Sequence, residues 1–130
     1  MVAEILWSVD HVQVAAPAGC EPAARAFFGG VLGLPEIPKP ENMRARGGCW
    51  FRSANIEIHV GVTANFQPAK KAHIGLAVGE LAALEALAER LVQGAHPVRW
   101  DTRLPGYRRF FTEDPWGNRL ELLACLPETG

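Results

Sequence analysis

The feature that most constrains this chain is an internal repeat, because one order of secondary structure occurs twice in its 130 residues. Each half starts with a short strand, continues with a helix that carries an apolar stripe, and ends with three further strands. The first half covers about residues 7–62, a linker about 63–70, and the second half about 71–126. The length fits a single domain, 1–130, in which two small modules share one core.

The positions of the predicted elements follow from apolar periodicity and from turn residues. Alternating apolar and polar residues predict strands at 8–15, 49–52, 56–62, 73–78, 97–100, 107–112 and 119–124. Apolar stripes predict helices at 21–32 and 80–93, and three prolines limit 34–40 to at most a short edge strand. The stretches 41–48 and 101–106 are predicted to be loops, the first of them mobile.

Both halves carry a histidine in the first strand and a glutamate in the last. His11 and His73 are 62 residues apart, and Glu57 and Glu121 are 64 residues apart. All four lie opposite the Val, Ile and Leu row of their strand, so packing of that row on the helices turns them to the other face of the sheet. Two imidazoles and two carboxylates suit Zn²⁺, Ni²⁺, Co²⁺, Mn²⁺ or Fe²⁺. Taken singly, each residue also fits an ordinary hydrogen-bonded or solvent-facing position.

Several stretches of the chain resemble one known superfamily. The runs AHIGLAV and FFTEDPWGNRLELL resemble its second module, and DHVQVAAP, AARAFFGGVLGL and NIEIHVGV resemble its first. This group is the vicinal oxygen chelate superfamily, which includes glyoxalase I, bleomycin-resistance proteins and extradiol dioxygenases. The resemblance covers residues 11–123, and DPWGNRLEL is its most specific part.

The resemblance implies a fold and a metal site. The expected fold is α+β, with two paired βαβββ modules that form a curved mixed sheet around a central cleft, in a homodimer. Superfamily members take their metal ligands from the first and last strands of each module. Carried over to this chain, the ligands are His11, Glu57, His73 and Glu121, the same four residues that the strand pattern selects. The implied cofactor is one divalent metal ion (Zn, Ni, Co, Mn or Fe).

The resemblance to glyoxalase I also implies an activity. We expect a metal-dependent lyase or isomerase that moves a proton on a small oxygenated substrate through a metal-stabilised enediolate. A metal-bound glutamate can serve as the base in such a site. The catalytic candidates here are Glu121 and Glu57, with Glu121 favoured as the base.

A second group of side chains is predicted to contact the substrate. His59 lies on the same strand face as Glu57. It is a candidate substrate contact, a support for the metal ligands or an alternative ligand. The plainer interpretation is a partly exposed strand histidine without a role in the site. Arginine binds carboxylate or phosphate in a bidentate way, which together with nearby aromatic residues predicts a pocket for an anionic or aromatic substrate. The candidates are His59, Gln13, Trp50, Arg52 and Arg109.

Other functions stay open within the same fold. A ring-cleaving dioxygenase would use His11, His73 and Glu121 as its triad, but Glu57 would then fill a position needed by substrate or O₂. A fosfomycin-type thiol transferase meets the same objection, whereas an epimerase of the methylmalonyl-CoA type fits two carboxylates well. A further alternative is a metal-free protein, similar to bleomycin-resistance proteins, that binds a drug or another small molecule. The four ligand residues argue against it, because such a protein does not need them.

Composition restricts the partners and the compartment. The chain has 13 Lys+Arg against 14 Asp+Glu, a balance that favours neither nucleic acid nor a charged membrane as a partner. No apolar run reaches the ~18–20 residues of a bilayer span, and residues 1–8 lack the basic start of a signal peptide. Three widely spaced cysteines predict reduced thiols in a cytoplasmic protein.

Overall fold

Strand β1 (Val12–Ala16) pairs in parallel with β4 (Ile56–Val62), so the first and last strands of the first half lie side by side. Strand β3 (Cys49–Ser53) joins β4 in antiparallel orientation, and the two-residue β2 (Glu36–Ile37) forms the outer edge. The order across this sheet is therefore β1-β4-β3-β2. The structure, a computed structural model, describes residues 3–128 of the chain.

The second half repeats the same topology. Strand β5 (Ile74–Ala77) pairs in parallel with β8 (Arg119–Cys125), and β7 (Tyr107–Glu113) and β6 (Arg99–Asp101) follow in antiparallel orientation. The order β5-β8-β7-β6 matches that of the first sheet. The predicted α+β fold of two βαβββ modules is confirmed, with backbone hydrogen bonds that divide the strands into two open four-stranded mixed sheets.

Each module contributes one main helical segment. Helix α1 (Glu21–Ala24) continues as a π-helical segment (Arg25–Val31), in which the Leu32 N–H donates to the Phe27 carbonyl, five residues back, at 2.9 Å. The helix predicted for this region is thus observed, but its second part is wider than an α-helix. Helix α2 (Leu81–Gln93) lies in the second module, as predicted. Among residues 3–128, no helix has the length and apolar character of a bilayer span.

Both modules contribute to one hydrophobic core. The apolar face predicted for β4 is confirmed by Ile58 and Val60, which are both buried. Burial of apolar surface is the main stabilising term in folding, so a shared core stabilises the two modules jointly. The largest fully buried side chains include Phe27, Phe28, Phe51, Phe110, Leu84, Leu91 and Leu120.

Asn118 joins three parts of the chain through its buried amide. Its Nδ2 donates to the Ala15 carbonyl in β1 at 2.9 Å and to Asp114 Oδ2 at 2.8 Å. Its Oδ1 accepts from the N–H of Ala69, in the linker, at 2.9 Å. The turn between β7 and β8 thereby fixes the edge strand of the first module against the second module.

The stretch 41–48, predicted to be a mobile loop, instead contains a 3₁₀ helix, Glu41–Arg46. Its end is fixed by Gly48, whose N–H donates to Glu21 Oε2 at 2.7 Å and whose φ is +86°. A Cβ at Gly48 would overlap with the Val60 carbonyl oxygen, so the position requires glycine. The stretch is therefore more regular than the predicted loop, and its mobility stays a prediction.

His11 and His73 each precede their strand by one residue, although both were predicted to lie within strands. Strand β1 begins at Val12 and β5 begins at Ile74. The predicted strand at 8–15 is shorter because the residues before Val12 lie outside the ladder with β4. Both histidines therefore sit where the chain enters a sheet.

Candidate metal and substrate site

The carboxylate of Glu57 is held by two neighbours on the polar face of the first sheet. His59 Nε2 and Glu57 Oε2 are hydrogen-bonded at 2.7 Å, and Arg52 Nε donates to Glu57 Oε1 at 2.7 Å. Since a carboxylate oxygen only accepts, Nε2 is the protonated nitrogen of His59 in this pair. The hydrogen bonds from Arg52 and His59 hold the pKa of Glu57 below its usual range.

His59 is the centre of a stack of three rings. The Trp50 ring lies 3.8 Å from the His59 ring with the planes 1° apart, and the His11 ring lies 4.1 Å away with the planes 16° apart. Because β4 lies between β3 and β1, the two rings cover opposite faces of the His59 imidazole. His59 is only 5% exposed, so it is a buried residue rather than a partly exposed strand histidine.

The two repeated histidines each have one ring nitrogen, Nδ1, engaged by a partner other than Glu57 and Glu121. His11 Nδ1 contacts Asp10 Oδ1 at 2.8 Å, and His73 Nδ1 contacts the Lys71 carbonyl at 3.0 Å. Both acceptors require a protonated Nδ1, which leaves Nε2 of His11 as the nitrogen with a lone pair. His73 Nε2 also faces an acceptor, Glu121 Oε1 at 3.0 Å, so this nitrogen carries a proton that a metal ion would replace. Ligating histidines in metalloproteins are oriented in this way.

The surroundings of Glu121 in β8 are similar to those of Glu57. Glu121 Oε1 lies 3.0 Å from His73 Nε2, and Oε2 accepts from Arg109 Nη1 at 3.1 Å. Glu121 is buried, with 8% exposure. Each module therefore presents a carboxylate between an imidazole and a guanidinium group.

Asp101 fixes the arginine of the second module. Arg109 Nη2 donates to Asp101 Oδ1 at 3.1 Å, and the two residues are partners across β6 and β7. Hydrogen bonds from Arg103, and to a lesser extent from Arg109, hold the pKa of Asp101 far below its usual range. The sequence analysis placed Asp101 at the start of a loop and did not identify it as a site residue. Its opposite charge to Arg109, at facing positions of two strands, could have indicated the pair.

The two arginines differ in how firmly they are held. The Arg52 side chain is 57% exposed, whereas the Arg109 side chain is 16% exposed. Arg52 contacts Glu57 from solvent, where ion pairs are weak. Arg109 is enclosed between Asp101 and Glu121, so the orientation of the Glu121 carboxylate is the more strongly fixed of the two.

The structure places the predicted substrate contacts in the two modules separately. His59, Trp50 and Arg52 surround Glu57, whereas Arg109 contacts Glu121. Gln13 is the register partner of His59 in β1 and is exposed. The assignment of these side chains to a substrate stays a prediction.

Three of the four predicted metal ligands share one cavity. His11, Glu57 and His73 line a cavity of about 380 Å³ between β1 and β5, and Glu121 contacts its neighbour His73. Within residues 3–128, no three His, Cys, Asp or Glu side chains converge into a group that could hold a metal ion. The ligand set therefore stays a prediction, and His73 with Glu121 is the pair within it that the structure shows in contact.

The chemistry of one pair fits a divalent ion. Two ligands that bind one ion at ~2.0–2.2 Å and at right angles to each other lie about 3 Å apart. His73 Nε2 and Glu121 Oε1 have this separation, 3.0 Å. An imidazole nitrogen and a carboxylate oxygen are also the donor types that Zn²⁺ and its neighbours accept.

The chain is similar to several solved structures. A protein from Bacillus anthracis described as a member of the glyoxalase family is 44% identical, with 96% of this chain and 100% of that chain covered and a TM-score of 0.88. The genomically encoded fosfomycin resistance protein FosX from Listeria monocytogenes is 16% identical (94% and 96% covered, TM-score 0.75), and a variant of it was solved with Mn(II) and 1S,2S-dihydroxypropylphosphonic acid. Lactoylglutathione lyase from Agrobacterium tumefaciens is 20% identical (87% and 91% covered, TM-score 0.64). No family model and no curated protein matches the chain.

Two open βαβββ modules, each with a histidine and a carboxylate on its polar face, define a protein of the vicinal oxygen chelate superfamily. Identity of 44% over nearly the whole length shows that the chain belongs to the glyoxalase family within it. The Listeria and Agrobacterium proteins, at 16% and 20% identity, share the fold. The resemblance identified from the sequence is thus confirmed.

Proposed function

We propose that the chain is a glyoxalase-like, divalent-metal-dependent enzyme that transfers a proton on a small oxygenated substrate, as a lyase or isomerase. The observation that supports this function is the repeated contact of a carboxylate with an imidazole and an arginine, at Glu57 and at Glu121. Two carboxylates favour proton transfer, because one can hold the ion while the other exchanges a proton.

In this proposal, His11, Glu57, His73 and Glu121 hold the metal. The bound ion (Zn, Ni, Co, Mn or Fe) would supply Lewis acidity that stabilises negative charge on the substrate oxygens. The other residues act through the glutamates: Asp101 and Arg109 orient Glu121, and His59 and Arg52 orient Glu57.

We assign the role of base to Glu121. Arg52 and His59 hold the pKa of Glu57 below its usual range, which weakens Glu57 as a proton acceptor and suits a ligand. Glu121 keeps one oxygen on Arg109, so its second oxygen is presented in a fixed direction beside His73. A fixed direction helps a base because proton transfer requires hydrogen-bond geometry.

We infer that the functional unit is a homodimer. Ile5, Leu6, Trp7 and Val9 are 63%, 87%, 86% and 78% exposed, and adjacent large apolar side chains are a common mark of an interface. The segment leads directly into His11, so a second copy that covers it would lie against the proposed site. Light scattering with size-exclusion chromatography tests this inference, and a monomer at all micromolar concentrations would contradict it.

A second candidate function is metal-free binding of a small molecule, as in bleomycin-resistance proteins. The cavity of about 380 Å³ favours it, because its lining is largely apolar, with Val12, Ile56, Ile58 and Ile74 among the side chains. The ring-cleaving and fosfomycin-type reactions need only three ligands and leave Glu57 without a role. Metal binding therefore separates the leading proposal from this alternative.

The experiment is calorimetric titration of untagged protein with Mn²⁺, Ni²⁺ and Zn²⁺. We expect one ion per site in the wild type and a large loss of affinity in His73→Ala and Glu121→Gln. Glu113→Gln, which removes a surface partner of Arg99, is the matched control and should bind like the wild type. A stoichiometry near zero with every metal rejects the metalloenzyme and leaves the binding protein.

Activity is then assayed with the metals that bind. The substrates are methylglyoxal with a thiol and fosfomycin with a thiol, and solvent deuterium incorporation reports proton transfer directly. Turnover with methylglyoxal supports the lyase assignment. Turnover with fosfomycin and none with methylglyoxal would replace it.

A further inference from the structure

A second cavity opens beside the ring stack of the first module. It measures about 160 Å³ and lies between the 3₁₀ helix (Glu41–Arg46) and the end of β4, residues 60–62. Its lining includes Lys39, Arg46, Gln13 and Trp50. A volume of this size suits one small polar group rather than a whole substrate.

The charge of this second cavity is positive. Lys39 and Arg46 are its two charged lining residues, and no Asp or Glu is among the described residues that line it. The Lys39 ammonium group is placed by a hydrogen bond to the Gly47 carbonyl, which leaves two of its three protons for a ligand. The nearby carboxylate of Glu21 accepts from the Gly48 N–H at 2.7 Å, and among residues 3–128 it forms no ion pair with Lys39 or Arg46.

The amide of Gln13 forms part of the same wall. A Cβ added to Gly61 would lie 2.8 Å from Gln13 Nε2, so the Gln13 side chain lies across the bare backbone of Gly61. The hydrogen bonds among residues 3–128 leave this amide group unused. An amide N–H and two cations are the donors with which proteins bind carboxylate and phosphate oxygens.

The second cavity is connected to the proposed metal site through the ring stack. Trp50 lines the second cavity and stacks on His59, while His11 stacks on the other face of His59 and lines the first cavity. One imidazole therefore separates the residues of the two cavities.

We propose that Lys39 and Arg46 form an anion subsite that binds a carboxylate, phosphonate or phosphate group of the substrate, with Gln13 as an additional donor. The substrate class is thus a small oxygenated molecule with one anionic end. Placing the reacting end of this substrate at the metal site rests on the proposed function. Binding of the anionic end at Lys39 and Arg46 does not depend on a metal.

The test uses metal-free, full-length protein and two probes, inorganic phosphate and acetate, with the backbone amide signals of Gly47 and Gly61 followed by NMR. We expect saturable shifts at constant ionic strength, with phosphate the tighter probe if the natural group is a phosphate or phosphonate, and acetate if it is a carboxylate. Arg46→Gln should weaken binding about tenfold or more, since a charge-assisted hydrogen bond is lost, and Arg46→Lys should retain most of it.

Arg99→Gln is the matched control, because it removes the same charge from an exposed arginine that pairs with Glu113 and does not line the cavity. Equal losses in Arg99→Gln and Arg46→Gln would show general attraction and overturn the subsite, as would the absence of saturable shifts at both glycines. Saturable binding in protein that takes up no metal would preserve the subsite and reject only the proposed enzyme.

A further titration tests whether one substrate spans both cavities. Metal-loaded protein is titrated with acetohydroxamate and with succinic acid monohydroxamate, two chelators of which the second carries a carboxylate tail. We expect the tail to tighten binding in the wild type but not in Arg46→Gln. Equal affinity of the two chelators for the wild type would overturn the connection between the cavities.

Discussion

Trp50 and His59 face each other across β3 and β4 with their rings parallel to within 1° and 3.8 Å apart. The stack encloses an imidazole whose Nε2 is hydrogen-bonded to Glu57 at 2.7 Å. His59 therefore combines two functions: it packs between aromatic rings and it directs a carboxylate. Two substitutions separate these functions.

We expect His59→Phe to keep the stack and lose the hydrogen bond, and His59→Gln to do the reverse. His59→Phe should then preserve the near-ultraviolet circular dichroism of Trp50 but weaken metal binding about 10–100-fold, the usual effect of removing a partner that orients a ligand. His59→Gln should alter the dichroism more than the affinity. Unchanged metal affinity in His59→Phe would contradict a role in positioning Glu57.

Asp101→Asn tests the second module. Loss of the negative charge releases Arg109, which is free to shift toward Glu121 and compete with the metal for its carboxylate. We expect weaker Mn²⁺ binding by calorimetry with little change in the urea midpoint. Glu113→Gln is the control, because it also removes one negative charge from the second sheet but pairs with Lys70 and Arg99 rather than with Arg109. If both variants bind like the wild type, Asp101 does not position Glu121.

Asn118→Ala should lower the free energy of unfolding by about 2–3 kcal/mol, because it leaves buried partners without hydrogen bonds. The Ala15 carbonyl and the Ala69 N–H both lose the Asn118 amide. Urea unfolding measures the change, and Asn42→Ala on the exposed 3₁₀ helix is the control. A loss below 0.5 kcal/mol, the range of ordinary surface substitutions, would show that Asn118 does not join the modules.

The hydrogen bond from Gly48 to Glu21 predicts a pH-dependent contribution to stability. The Gly48 N–H holds the pKa of the Glu21 carboxyl below its usual value of 4.5. A carboxyl whose pKa is lower in the folded state stabilises the fold above its unfolded pKa, and this contribution is lost as the pH falls through the folded value. The stability difference between wild type and Glu21→Gln should therefore be constant near neutral pH and shrink below about pH 4.5.

Chemical unfolding from pH 7 to pH 3 measures this difference, with Glu41→Gln as the control for the loss of a charge on an exposed glutamate. A difference between wild type and Glu21→Gln that stays constant to pH 3 would contradict the role of the Gly48 hydrogen bond. The expectation concerns only the folding equilibrium and does not depend on a metal.

The sequence predicted the features that depend on periodicity. Alternation in β4 correctly placed Ile58 and Val60 on the face that packs in the hydrophobic core, opposite Glu57 and His59, and the repeat predicted two modules of equal topology. Both predictions succeed because apolar alternation directly reflects which side of a strand faces the core.

The features that the sequence did not predict depend on contacts between separate strands. His59 is buried by rings from β1 and β3, and alternation within β4 gives no information about them. Asp101 meets Arg109 because of the register of the short strand β6 against β7. A strand of three residues is too short for its apolar pattern to predict that register. The grouping of His11, Glu57 and His73 around one cavity likewise depends on how the two sheets meet.

The parallel pairing of first and last strands also determines when each half of the site can assemble. The ladder starts with partners 46 positions apart in both modules, Val12 with Ile58 and Ile74 with Leu120. Such long loops make closure entropically costly, which slows folding relative to local hairpins. During synthesis, His11 and Glu57 can line one cavity only after nearly all of their module has left the ribosome. The antiparallel hairpins β3–β4 and β7–β8 are therefore expected to form first and to serve as the templates on which each histidine is finally placed.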